Sequence, residues 1–461
     1  MEEAVVKMAT ENPWYGCQRA GGEEQTIERR DKPMKKARTT IRLLMLCLLN
    51  ASLFSCAVAG GDMVGDQKAV PPATYPYEMS REIELSDTFK RLKTPETGRL
   101  AVQLTSGEDF CYPLYYFIPS VTKDMKYLIY HRAGRGQVQI HRLNLLTGES
   151  VQITKANVLD AGWYPWDRPS PGSGVLDHRS VLNVAVGNVI YFTGNDGRKV
   201  RMVNVETLKD EALFEIPEGR EAIGQNCGTP DGKWFAYIHA PRGSRKPMRC
   251  KGVILAAYNL TTKEHRVLAT IDSAIHHVQP YGNHRFVFCH TPTGNGMMLA
   301  TLDGTPWIHL RDRDPGVTGR VCHHITTTAG IAFEASGHIS GLYDPVTRRR
   351  FEFQIPIEWG YTHTGWDPEG RLWFWEASSK HHLEYLQKFD QQGQPVFQSL
   401  TGRWNTYGEK QKSHFHPQLT PDRNWILFVG GDPETKSNHI FLLDVSDLKE
   451  AQTPVTREML K

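Results

Sequence analysis

The chain has 461 residues, 39% hydrophobic and 23% charged, with 54 Lys and Arg against 51 Asp and Glu. This is ordinary globular composition with ample length for a core, and it excludes a fibrous or wholly disordered chain. A net charge of +3 leaves no electrostatic footprint for nucleic acid, so no nucleic-acid partner is expected.

Residues 1–33 are polar and unpatterned. Met34-Lys35-Lys36-Ala37-Arg38 then leads into an apolar run from Ile41 to Leu49. A basic segment before a short apolar run reads as a secretory signal, and the run is too short to span a bilayer. Leu53-Phe54-Ser55-Cys56 resembles the bacterial lipobox, in which the Cys carries lipid and becomes the first mature residue. The expectation is an N-terminal extension and lipoprotein signal peptide over 1–56, with Cys56 lipidated. The protein is then exported to the periplasm or the outer membrane and touches the membrane only through that lipid. Residues 57–93, rich in Gly and Pro, read as a linker and cap. Beyond Cys56 only Cys111, Cys227, Cys250, Cys289 and Cys322 remain. An odd number without C-x-x-C spacing gives neither a disulfide framework nor a zinc ribbon, although one pair could form in an oxidising compartment.

From residue 94 a repeat begins. Each unit has a short run ending in a Pro/Asp/Gly turn, an apolar strand, a second strand, a polar turn and a third strand. Unit one runs from Tyr115 through Asp124 to His131 and on to Gly148, and unit two covers His178 to Phe192 and Arg201 onward. Unit three carries Asn226-Cys-Gly-Thr-Pro-Asp231-Gly-Lys-Trp-Phe-Ala-Tyr237. Unit four opens on His276-His277-Val278-Gln279, unit five on Cys322-His323-His324, unit six on Tyr361-Thr362-His363. Unit seven opens on Gln411-Lys-Ser-His414-Phe-His416 and ends near Val445. Seven units with a period of about 40–50 residues predict an all-β fold, a seven-bladed β-propeller over 94–461. The strand-like segment Gly98–Thr105 precedes the first unit and is expected to close the ring as the outer strand of blade seven.

The histidines fall in one phase. In a propeller the first strand of each blade lines the central channel. That phase holds His178, Asn226, His276, His277, Gln279, His323, His324, His363, Gln411, His414 and His416. Alternate residues of a strand share a face, so His414 and His416 are expected to project together, with Gln411 folding back over them. Two imidazoles and an amide oxygen suit a divalent transition metal.

Units such as Pro-Asp-Gly-Lys-Trp-Phe-Ala-Tyr resemble TolB-type propeller repeats. The set Gln411-x-x-His414-x-His416 with His363 upstream resembles the metal site of bacterial oligogalacturonate lyases, which are seven-bladed propellers. The resemblance implies Mn2+, or another divalent transition metal, on His363, Gln411, His414 and His416. It implies a Brønsted base at His324 or His323, and substrate-binding positions at His178, Arg179, His277, Gln279 and His290. The lyases also carry an Arg on the second strand of unit four. This chain reads Gly294-Asn-Gly-Met-Met-Leu-Ala there, leaving Arg285, Arg242 and Arg179 as candidates.

The chemistry suits these residue types. β-Elimination from a uronate removes a proton α to a carboxylate and expels the C4 oxygen. Neutral ligands leave a divalent ion its full charge to offset the charge that develops. Imidazole titrates near neutral pH and can take the proton. The expected function is a metal-dependent polysaccharide lyase acting on uronic-acid-containing oligosaccharides, as in pectin breakdown. The alternative is a non-catalytic glycan- or protein-binding propeller lipoprotein.

Overall fold

The computed structural model describes residues 84–134, 137–154, 181–183, 187–194, 197–242, 251–272, 274–291, 296–305, 308–311, 321–335, 338–360, 362–367, 372–379, 381–407, 414–448, 455 and 459. The predicted signal segment and Cys56 lie outside them. Seven antiparallel sheets make a seven-bladed β-propeller, six of four strands and one of five. Among the described residues no helix is long and apolar enough to cross a membrane, and Cys111, Cys227 and Cys289 are buried and form no disulfide.

The repeat seen in sequence is a repeat of turns. Between the first and second strands of blade three, Thr229 Oγ1 donates to Asp231 Oδ1 at 2.7 Å and accepts from Trp234 N at 3.0 Å, while Lys233 N donates to Asp231 Oδ1 at 3.1 Å. Blade one repeats this with Thr122, Asp124, Lys126 and Tyr127, and blade seven with Thr420, Asp422, Asn424 and Trp425. The residue after the Asp takes a left-handed conformation each time, Met125 (φ 62°), Gly232 (φ 71°) and Arg423 (φ 64°). The side-chain hydrogen bonds over-determine a backbone that Met and Arg would otherwise avoid. After the third strand an Asn cap recurs: Asn144, Asn204 and Asn259 each accept two backbone N–H groups through Oδ1.

Apolar clusters lie between blades. Second strands are buried on both faces, as in Gly330–Ala335 and Trp373–Ala377. Trp373 and Trp375 pack with Ala332 and Phe353 of blade five, and Phe374 between them packs with Phe428 and Phe441 of blade seven. The strand's alternation thus joins three blades. Gly365 lies opposite Phe374, and a Cβ there would come within 2.1 Å of the ring. That close approach holds the inner strand of blade six against its second strand.

Blade seven takes strands from both ends of the described chain. Leu100–Gln103 pairs antiparallel with Ser437–Asp444, in the register Ala101 with Leu443 and Gln103 with Phe441. A further strand, Lys90–Lys93, lies outside it. The sheet therefore starts within the segment expected to be linker and cap, four residues before the anticipated boundary at 94. The outermost strand reads Lys-Arg-Leu-Lys and is largely exposed. Charge on an edge strand discourages pairing with other chains.

Candidate active site

Inner strands begin, and second strands end, at one end of the ring, and the histidines gather there. His323 lies on the inner strand of blade five, Val321–Thr327, directly opposite Glu334 on the second strand. His363 precedes the inner strand of blade six, Thr364–Trp366, and its carbonyl accepts from Glu376 N at 2.9 Å. His414 and His416 precede the inner strand of blade seven, Gln418–Leu419. Ring centroids lie 4.5 Å apart for His363 and His416, 5.1 Å for His363 and His414, and 5.9 Å for His414 and His416. His323 joins the group at 4.7 Å from His363 and 5.1 Å from His277.

The reason for the His414–His416 pairing differs from the one expected. Residues 414–417 are not a strand, and His416 has a φ of 45°. A left-handed turn, not strand alternation, brings its ring beside that of His414. His277 is also left-handed, at φ 54°, inside the register shift between His276 and Gln279. A bulge re-aims a side chain in this way, and two such residues in one cluster mark a site where backbone strain is tolerated for position.

Glu376 organises the group. Its carboxylate accepts from His363 Nδ1 at 2.8 Å, His414 Nδ1 at 2.6 Å and the His416 backbone N–H at 3.3 Å. The side chain is 1% exposed, and those of His363 and His414 are 0% and 12%. Burial raises the Glu376 carboxyl, but the His414 charge and hydrogen bond, with His416 and the Phe415 backbone, outweigh it and lower its pKa. An ionised carboxylate only accepts, so both rings carry hydrogen on Nδ1, and Nε2 is the nitrogen each ring can offer a cation. Burial drives the His416 imidazole well below its usual range, reinforced by His363, so it stays neutral. Imidazoles held through one ring nitrogen by a carboxylate are the arrangement seen around a divalent cation. His363, Glu376 and His414 have ligand atoms within 4.8 Å of one another. The residues fit a metal, with one correction: the environment expected to be all-neutral contains a buried carboxylate.

That carboxylate is testable. Glu376→Gln keeps the shape but places an NH2 against one Nδ1. One ring must then switch tautomer and carry its hydrogen on Nε2. Metal affinity, read by calorimetry, is expected to fall about 10–100-fold.

The base candidates separate. His323 faces the cluster, with Nδ1 3.1 Å from Glu334 Oε2, which also accepts from Thr362 Oγ1 at 3.0 Å. His324 pairs across the sheet with Phe333, has Nδ1 3.3 Å from Cys289 Sγ, and is wholly buried. Its backbone N–H and carbonyl both bond Tyr116 Oη, at 3.2 and 3.1 Å.

His277 belongs to the cluster, whereas Gln279 is occupied elsewhere. The Gln279 amide donates to the His324 carbonyl and accepts from Thr326 N at 3.2 Å, tying blade four to blade five. Gln411, His178 and Arg179 lie outside the described residues, as does the side chain of His290. Arg285 sits at the far end of its strand, its carbonyl bonded to Tyr281 N. Arg242 follows the second strand of blade three at the site's own end and is exposed.

Sequence reasoning passed over Glu334, Glu376, Tyr115 and Tyr116. The two acids end their second strands in the same phase, as Phe333-Glu334-Ala335 and Trp375-Glu376-Ala377, and that recurrence was the available signal. The tyrosines come from blade one and enter the cluster, Tyr115 5.2 Å from His416 and Tyr116 5.4 Å from His323 between ring centroids.

These features define a seven-bladed β-propeller with an imidazole cluster, backed by two carboxylates, at one end of its channel. The chain is similar to the oligogalacturonate lyases. It is 20% identical over 400 residues to oligogalacturonate lyase of Dickeya dadantii (strain 3937), covering 77% of this chain and 97% of that one. An oligogalacturonate lyase structure from Vibrio parahaemolyticus superposes with a TM-score of 0.62 at 18% identity, over 79% of this chain and 97% of the other. An oligogalacturonate lyase in complex with manganese gives a TM-score of 0.63 at 18% identity, over 79% and 98%. At these identities the structural likeness is one of fold. No family model matches the chain.

Proposed function

We propose that the protein is a metal-dependent lyase that cleaves uronic-acid oligosaccharides, of which oligogalacturonate is the first candidate, by β-elimination. The observation that carries this reading is the meeting of the His323–Glu334 pair with His363, His414 and His416 around Glu376. His363, His414 and His416 would hold the cation, and manganese is the candidate because a similar protein was solved with it. When bound, the cation supplies positive charge that draws the substrate carboxylate and offsets the charge gained as the C5 proton leaves. His323 takes that proton through Nε2. Glu334, on Nδ1, fixes the ring's direction and stabilises the imidazolium that forms. The export signal read at residues 34–56 would put this activity outside the cytoplasm.

The test is ultraviolet absorbance of the conjugated unsaturated uronate, formed from oligogalacturonate with manganese added and again after chelation. Product that depends on the ion supports the reading. No product from any uronide, with the cation bound, removes it.

A further inference from the structure

β-Elimination also needs an acid, because the C4 oxygen leaves as an alkoxide unless it is protonated. The His323–Glu334 pair and the Glu376-held imidazoles leave that role open. Tyr115 lies at the centre of the cluster. Its hydroxyl is 3.3 Å from His277 Nε2 and 3.4 Å from His363 Nε2. Its ring is parallel to that of His277, at 5.7 Å and 8°, and meets His363 edge-on at 5.8 Å.

Its place is fixed from outside the site. Gln418 Nε2 donates to the Leu114 carbonyl at 2.7 Å and the Tyr115 carbonyl at 3.1 Å, and Gln418 Oε1 accepts from Ser120 N at 3.0 Å. Ser120 Oγ accepts from Leu114 N at 2.9 Å, and Ile118 N bonds the Tyr115 carbonyl at 2.7 Å. One buried amide of blade seven thus clamps the segment that carries Tyr115. Its neighbour Tyr116 directs its hydroxyl to the backbone of His324 and is architectural. Two adjacent tyrosines therefore have different tasks, and of the two it is the Tyr115 hydroxyl that lies beside ring nitrogens of the buried cluster.

The geometry points to Tyr115 as the general acid that protonates the leaving C4 oxygen, an assignment that rests on the lyase reading above. His323 takes the C5 proton, and the C–H electron pair becomes the second bond between C4 and C5. The C4–O4 bond breaks with its pair on O4, and the phenolic proton of Tyr115 moves to O4. The phenolate is reprotonated from the His323 imidazolium through solvent, so the cycle closes with no net proton change. A phenol is a far stronger acid than a sugar hydroxyl, which makes the transfer downhill.

The experiment compares the parent and Tyr115→Phe, both loaded with manganese, on two substrates. One is an oligogalacturonate, and the other is a uronide carrying 4-nitrophenoxide at C4, a leaving group that needs no acid. Tyr115→Phe is expected to lose about 10²–10⁴-fold in kcat on the oligosaccharide, to retain parental turnover on the aryl uronide, and to keep its manganese. The parent should show a solvent deuterium isotope effect on the first substrate and none on the second, a reading that requires no variant to fold. Equal losses on both substrates, or full oligosaccharide turnover by Tyr115→Phe, overturn the assignment while leaving the lyase reading intact. A parent inactive on both substrates overturns both.

Discussion

Replacing His323 by Gln is expected to lower turnover of uronide oligosaccharide by about 10²–10⁴-fold, or roughly 2.7–5.4 kcal/mol in the barrier, with metal content unchanged. The amide can occupy the ring's volume and still reach Glu334, but it cannot accept a proton at neutral pH. Metal is expected to stay because the proposed ligands His363 and His414 are held by Glu376, whereas His323 is held by Glu334. Turnover rate and metal analysis on the same preparation are the measurements. A variant within a few-fold of the parent would move the base to another residue.

Replacing His414 by Ala is expected to do the opposite to binding. Metal affinity falls by more than the about 10–100-fold assigned to loss of an outer-shell partner, and activity falls with it. Two effects combine. A proposed ligand ring is lost, and Glu376 loses its shortest hydrogen bond, 2.6 Å, in a site where its carboxylate is 1% exposed. A buried carboxylate deprived of a partner carries an uncompensated cost. Calorimetric titration with manganese and activity at saturating manganese separate the losses. Full activity restored by excess metal would show that His414 only tightens binding. Wild-type affinity in the variant would take His414 out of the site.

The blade count was legible because each turn carries its own chemistry. Thr-x-Asp before the second strand and Asn-x-x-Thr after the third are local hydrogen-bond devices, and local devices leave a sequence pattern. The clustering of histidines was legible because the inner-strand phase repeats with the blade. What escaped was anything fixed across blades or by a single irregular residue. The choice between His323 and His324 depends on which of them faces Glu334, eleven residues on, and nothing near either residue reports it. Tyr115 stood in the sequence only as the start of unit one, because its partners His277 and His363 lie 162 and 248 residues away. Gln279 was read as a substrate-binding position, and its amide bridges to the backbone of His324 and Thr326 in the next blade. His416 was placed beside His414 by strand alternation, whereas a φ of 45° puts it there. Residues held by backbone exceptions do not follow the period that reveals the rest.

The pairing of Gln103 with Phe441 also sets a timetable for biosynthesis. A ribosome adds about 5–20 residues per second, so the early strand waits roughly twenty seconds to a minute for its partner to be made. Six blades can assemble from neighbouring segments during that interval, but the sheet of blade seven cannot. Joining the two ends is a late, long-range event, of the kind that slows folding in non-local topologies. A nascent chain stalled before residue 437 would leave Leu100–Gln103 as an unpaired edge, so a holdase that binds extended segments would find its target there.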